Sequence, residues 1–230
     1  QMDNGHTDPA TNAVASCLTL LSTAKTQLVK ADGIGSELLP TVIGWEGNNV
    51  IGYAILHEPP ATTNHLYRTI AQAAGLMVTG WHATGLAIST EGYCAPANPF
   101  PDADSDTATH LAERYPTDPT INEALWVAYA DRLGNAAMGV LTFQQHVGRT
   151  VTYDDPVYTS PDQLGDFDVK GTLPYVLRSA FTNLNPTPLP ANASLQNCRE
   201  VIAEHIHHLG FTVYLDGSDY WTIPAQPPTA

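Results

Sequence analysis

The run Glu204-His205-Ile206-His207-His208 packs more potential metal ligands into five positions than any other stretch of this chain. On a helix, Glu204 and His208 stand four apart and His205 and His208 three apart, so either pair can face one divalent metal. The zinc-protease order, two histidines four apart with a Glu beside the first, is absent. Histidines in a last helical turn also stabilise the helix dipole and its free carbonyls without any metal. Glu204, His205 and His208 are therefore the candidate divalent-metal site, and no cofactor is otherwise expected.

A second group is His82, Glu91 and Tyr93, which flank an apolar stretch. A Glu at a strand end can act as a general base or accept a bond from a ligand. It can equally accept backbone N–H groups from a turn, and His82 beside Trp81 also reads as a core histidine. Asp131 and Arg132 form a third candidate, either a partner contact or a solvated hairpin tip. His57-Glu58, at a strand end, is open to the same two readings. Asp102, Asp104 and Asp106 alternate as calcium ligands do, but lack the glycine and terminal Glu of an EF-hand. No GxGxxG, Walker, GxSxG or HxE…CxxC pattern occurs. Triads assemble in space, so serine and cysteine nucleophiles stay open; Cys94, beside Tyr93, looks the least buried of three cysteines.

The elements that must position these groups centre on Ile121 to Phe143. Leu125, Val127 and Tyr129 alternate with Trp126, Ala128 and Ala130, as a pleated strand requires. Asp131 to Asn135 is turn chemistry, and Met138, Val140 and Thr142 alternate with Gly139, Leu141 and Phe143. Both faces are apolar, which predicts a buried central hairpin. Thr41–Trp45 and Val50–Leu56 form a second hairpin around Glu46-Gly47-Asn48-Asn49. The two share Gly-Asn, three residues, Gly, then an apolar run, from duplication or from convergence on one turn chemistry.

Helices are expected from Pro9 to Gly33, with Lys25 and Lys30 near the C-terminal dipole, and from Thr62 or Thr63 to a closing Gly80. Gly85 to Cys94 reads as a strand interrupted at Glu91-Gly92-Tyr93. A short helix is expected near Ala108 to Tyr115, a strand at Thr150–Tyr153 and a helix from Leu173 to Phe181. The aspartate- and proline-rich Asp154 to Asp168 looks like a boundary, and Pro186, Pro188 and Pro190 like an extended spacer. Ser194 caps a last helix ending at Gly210, followed by a closing hairpin of Phe211–Leu215 and Tyr220–Ile223. A helix followed by a hairpin outlines half of a winged helix, but Arg199 is the single Lys or Arg in that helix.

The 230 residues carry a net charge of -14 with three lysines, Lys25, Lys30 and Lys170. Phosphate backbones need clustered Lys and Arg, so nucleic acid and anionic membrane are poor partners and a basic protein is a better one. At 43% hydrophobic residues the chain can bury a core. Three widely spaced cysteines read as reduced core thiols. Met2 reads as the natural start, with nothing like a signal peptide after it and no apolar run long enough for a membrane span. A cytoplasmic location is expected.

Leu86-Ala87-Ile88-Ser89-Thr90-Glu91-Gly92-Tyr93 and Glu123 to Gly134 are the residues on which the chain resembles small uncharacterised proteins encoded by bacteriophages of actinobacteria. Those pair an apolar strand ending in Glu and an aromatic residue with a later strand ending in Asp-Arg, a residue, and Gly. The resemblance covers about a third of the chain. It implies no activity and favours a phage-encoded accessory or host-interaction protein.

The expected fold is α+β: an antiparallel-rich sheet of hairpins with helices packed on it. Residues 1–155 form the core, 165–224 a C-terminal helix and hairpin subdomain, and 225–230 a flexible tail. The expected function is a non-enzymatic acidic interaction protein. A metal-assisted hydrolase and a virion structural component are the alternatives, and the oligomeric state is left open.

Overall fold

Helix α1 spans Pro9–Asp32, with Asp8 at its N-cap and Gly33 at φ 96° as its stop. In the computed structural model, which describes residues 8–58, 60, 62–100, 111–159, 173–182 and 194–215, it is followed by strands β1 (Thr41–Glu46) and β2 (Asn49–Leu56). Then come helix α2 (Thr63–Trp81), strand β3 (Gly85–Cys94), short helix α3 (Leu111–Arg114), strands β4 (Asn122–Asp131), β5 (Ala136–His146), β6 (Thr150–Tyr153) and β7 (Val157–Tyr158), helices α4 (Leu173–Thr182) and α5 (Leu195–His207), and strand β8 (Phe211–Tyr214). This is an α+β fold with one eight-stranded sheet in the order β6-β5-β4-β3-β1-β2-β8, β7 pairing with β5. Every described strand pair is antiparallel.

The central hairpin forms where alternation and turn chemistry place it. Asp131 Oδ1 accepts the Leu133 and Asn135 amides at 2.9 Å each, and its Oδ2 accepts the Asn135 side-chain amide at 2.9 Å. Gly134 takes φ 88°, a conformation nearly free for glycine alone. The β1–β2 turn likewise places Gly47 at φ 60°.

Strand alternation divides the core between the two faces of the sheet. Ile43, Trp45, Tyr53, Ala87, Leu125, Val127, Leu141 and Phe143 pack beneath α1 through Val14, Cys17 and Leu18. Val42, Ala54, Leu86, Ile88, Ala128 and Ala130 pack on the other face beneath α2 and α4, with α5 against α2 and β8. Each face thus buries its own apolar set, which is why the central strands read as apolar on both sides.

Three element boundaries differ from the sequence reading. β3 runs unbroken through Glu91, Gly92 and Tyr93, because β4 offers Leu125, Ala124 and Glu123 as ladder partners. α2 continues past Gly80 to Trp81 and stops at His82 in the left-handed conformation, φ 58°. Gly80 serves helix packing instead: a Cβ there would lie 2.1 Å from Ile202 Cγ1 of α5. β8 pairs with β2 along Tyr53↔Tyr214 to Leu56↔Phe211, so the C-terminal segment adds an edge strand to the sheet. The hairpin partner expected at Tyr220–Ile223, the aspartates 102, 104 and 106, the proline spacer and the tail lie outside the described residues.

Candidate functional site

Lys25 sits on the core-facing side of α1, seven residues after Leu18 and four after Leu21. Its side chain is 0% exposed. The ammonium lies 2.6 Å from Glu91 Oε1, whose own side chain is 9% exposed. It donates a second bond to Ser36 O at 2.5 Å and lies 4.9 Å from the centre of the Phe143 ring. Glu91 Oε2 accepts the Leu38 amide at 2.9 Å. One carboxylate thus ties α1, the segment between α1 and β1, and β3 together.

The sheet register extends this group sideways. Tyr93 stands opposite Glu123, Glu123 opposite Phe143, and Phe143 opposite Tyr153, so the four form one row on the α1 face. Gln145 donates to both Glu123 oxygens at 3.0 and 3.1 Å and accepts the Gly35 amide at 3.1 Å. Tyr153 donates its hydroxyl to Ser22 O at 2.7 Å. Tyr93 packs against Tyr115 with ring centres 4.7 Å apart and planes tilted by 35°, and both rings are half-buried, with Glu37 exposed nearby.

Electrostatics follow from this crowding of carboxylates. Burial pushes the Glu91 carboxyl above its ordinary value, opposed by the Leu38 amide and by Lys25. Burial raises the Tyr93 phenol first, and the charges of Glu37, Glu123 and Glu91 add to it. The Tyr115 phenol is raised by burial, then by the charge of Glu123, then by Tyr93 and a hydrogen bond to Glu123. Glu37 and Glu123 thus place negative charge beside the two aromatic rings.

Comparison with protein families, curated proteins and solved structures finds no match. The site therefore stands on its own geometry.

Of the residues singled out in the sequence, Glu91 and Tyr93 come together here. His82, Asp131 and Arg132 lie at the opposite end of the β3–β4 ladder, where Gly85 pairs with Asp131. That end is roughly 27 Å away along the strands. His82 is exposed as the left-handed residue ending α2, so it is not a core histidine. Asp131 staples its turn, and Arg132 is exposed while its amide bonds Thr84 O at 2.9 Å.

Glu204, His205 and His208 line a small cavity of about 330 Å³ on α5 with Glu200 and Val201. His208 Nδ1 lies 2.6 Å from Glu204 O, and His207 Nδ1 lies 2.8 Å from Phe211 O. Both are contacts to backbone carbonyls around the helix end. Among the described residues, no three His, Cys, Asp or Glu side chains are grouped to hold a metal ion. No described helix is long and apolar enough to cross a membrane.

Cys17 and Cys94 are core thiols as expected, but the least buried cysteine is Cys198 and not Cys94. Cys94 is buried at 1% exposure and Cys17 at 0%, while Cys198 is half-exposed. Burial pushes the Cys17 thiol up to about 12 and the Cys94 thiol up to about 11. Lys25, Glu123 and Gln145 are the site residues the sequence reading missed. The available signal was Lys25 itself, a lysine on the apolar stripe of α1, where a charge needs a buried partner.

Proposed function

We propose that this chain is a non-enzymatic, acidic interaction protein of the kind an actinobacterial bacteriophage encodes as a host-interaction factor. Its partner is a basic protein. The observation that carries the reading is the Tyr93–Tyr115 ring pair, tilted by 35° with centres 4.7 Å apart, beside Glu37 and Glu123. A guanidinium favours such a place, because it stacks on an aromatic face while pairing with a carboxylate. Arg114, next to Tyr115 in sequence, is held by Asp118. The net charge of -14 steers a cationic partner toward the surface and repels phosphate backbones.

The test is capture from actinobacterial lysate at low and high salt, with the wild-type chain and with Glu37→Lys and Tyr115→Ala as baits. The expected result is a basic protein retained at low salt, released at high salt, and lost with both variants. Equal capture by the variants, or capture that survives high salt, overturns the assignment.

A further inference from the structure

At the other end of α1, away from the Lys25–Glu91 pair, a cavity of about 660 Å³ opens between the first turns of that helix and the β1–β2 turn. Trp45 and Tyr129 form one corner of it, each 9% exposed, with ring centres 5.9 Å apart and planes at 72°. Asn12 and Ser16 of α1 and Asn48 and Asn49 of the turn line the rest of its polar surface. Among the described residues, no Asp, Glu, Lys, Arg or His lines it, in a chain whose net charge is -14.

The walls are fixed by contacts independent of any ligand. Thr84 Oγ1 accepts the Gly47 amide at 2.8 Å, and the Thr84 amide bonds Trp45 O at 2.7 Å. Tyr129 lies over Gly85 so closely that a Cβ there would meet its hydroxyl at 2.6 Å. Burial, with Asp131 and Asp8 nearby, pushes the Tyr129 phenol up to about 12, so at neutral pH the hydroxyl keeps its proton and can both donate and accept.

We propose that this cavity binds an uncharged saccharide, its apolar face against Trp45 and Tyr129 and its hydroxyls on Asn12, Ser16, Asn48 and Asn49. The volume falls in the range of small-molecule sites, ~300–1,000 Å³, and holds more than one sugar ring. Amide side chains present a donor and an acceptor side by side, which matches neighbouring hydroxyls. The two rings meet edge to face, so they form a corner and not the parallel slot that would sandwich a planar base. The absence of any cation among the described lining residues disfavours phosphorylated and carboxylated ligands, whose charge would be desolvated without a partner.

The experiment is a calorimetric and saturation-transfer NMR titration of the full chain. The probes are methyl glycosides of glucose, galactose, mannose and N-acetylglucosamine, with glucuronic acid and adenosine as competitors of different chemistry. At least one neutral glycoside is expected to saturate. Ser16→Ala and Asn48→Ala, both at exposed positions, are expected to weaken it about tenfold each at unchanged melting temperature, the loss of one neutral hydrogen bond. Four outcomes overturn the proposal: no glycoside saturates, glucuronic acid binds equally well, adenosine saturates in place of every glycoside, or both folded variants keep wild-type affinity.

Discussion

Lys25 and Glu91, 66 positions apart in the chain, meet at 2.6 Å with the lysine wholly buried. A buried charge is tolerated only when paired and hydrogen-bonded. Ser36 O and the Phe143 ring complete the lysine's surroundings, and the Leu38 amide completes the carboxylate's. Removing one partner strands the other. Lys25→Met, which leaves the buried carboxylate without its cation, is expected to cost about 3–5 kcal/mol of unfolding free energy, and Glu91→Gln, which mimics the neutral acid that burial favours, clearly less. The double variant is expected to lose clearly less than the sum. Urea denaturation of the four proteins measures this; additive losses would show that the two side chains do not depend on each other.

The same carboxylate sets a pH dependence. Burial raises Glu91 above its ordinary value of 4.5 in the folded chain. The folded state therefore holds that proton more tightly than the unfolded one. The stabilising effect is fully present below the unfolded value near 4.5 and is lost as pH rises through the folded value. Glu91→Gln has no proton to bind there. The stability difference between wild type and Glu91→Gln should therefore move in favour of wild type as pH falls from neutral toward about 4.5. Thermal melts of both proteins across that range give the slope, and a slope of opposite sign refutes the assignment.

Much of the fold was legible because local and tertiary preferences agree. Alternating apolar residues and Asp131-to-Asn135 turn chemistry specify the central hairpin, and Thr62 and Ser194 cap their helices through the side-chain oxygens expected of them. The errors arise where a distant segment decides. Gly80 resembles a helix stop until Ile202 is seen against it. Glu91-Gly92-Tyr93 resembles a strand break until β4 supplies a ladder partner for each residue. Lys25 resembles a dipole cation because nothing near it in sequence announces Glu91. The candidate site was half legible: Glu91 and Tyr93 were singled out, while Glu123 and Gln145 join them only through register.

Thiol reactivity separates the three cysteines. The thiolate is the reactive form, and burial holds Cys17 at about 12 and Cys94 at about 11. At pH 8 the native protein is expected to take up one equivalent of iodoacetamide, at half-exposed Cys198. A Cys198→Ser variant should take up none until denaturant is added. Peptide mapping identifies the modified residue, and native labelling of Cys94 would contradict its burial against Ala124 and Val140.

Gly80 offers a test of the α2–α5 packing. In an exposed helix interior Gly→Ala is stabilising, by about 0.5–1 kcal/mol. At position 80 the added methyl would lie 2.1 Å from Ile202 Cγ1 and 2.6 Å from its Cδ1. Ile202 is 0% exposed in the core, and Trp81 Nε1 donates to Arg199 O at 3.1 Å beside it, so the helices have little room to part. Overpacking of this kind costs about 1–3 kcal/mol. Gly80→Ala is therefore expected to lower stability, opposite in sign to helix propensity. Adding Ile202→Val or Ile202→Ala should recover part of the loss, since each removes atoms that the methyl would strike. Chemical denaturation of the single and double variants reads both effects. A stabilised Gly80→Ala protein would mean that α2 and α5 do not approach this closely.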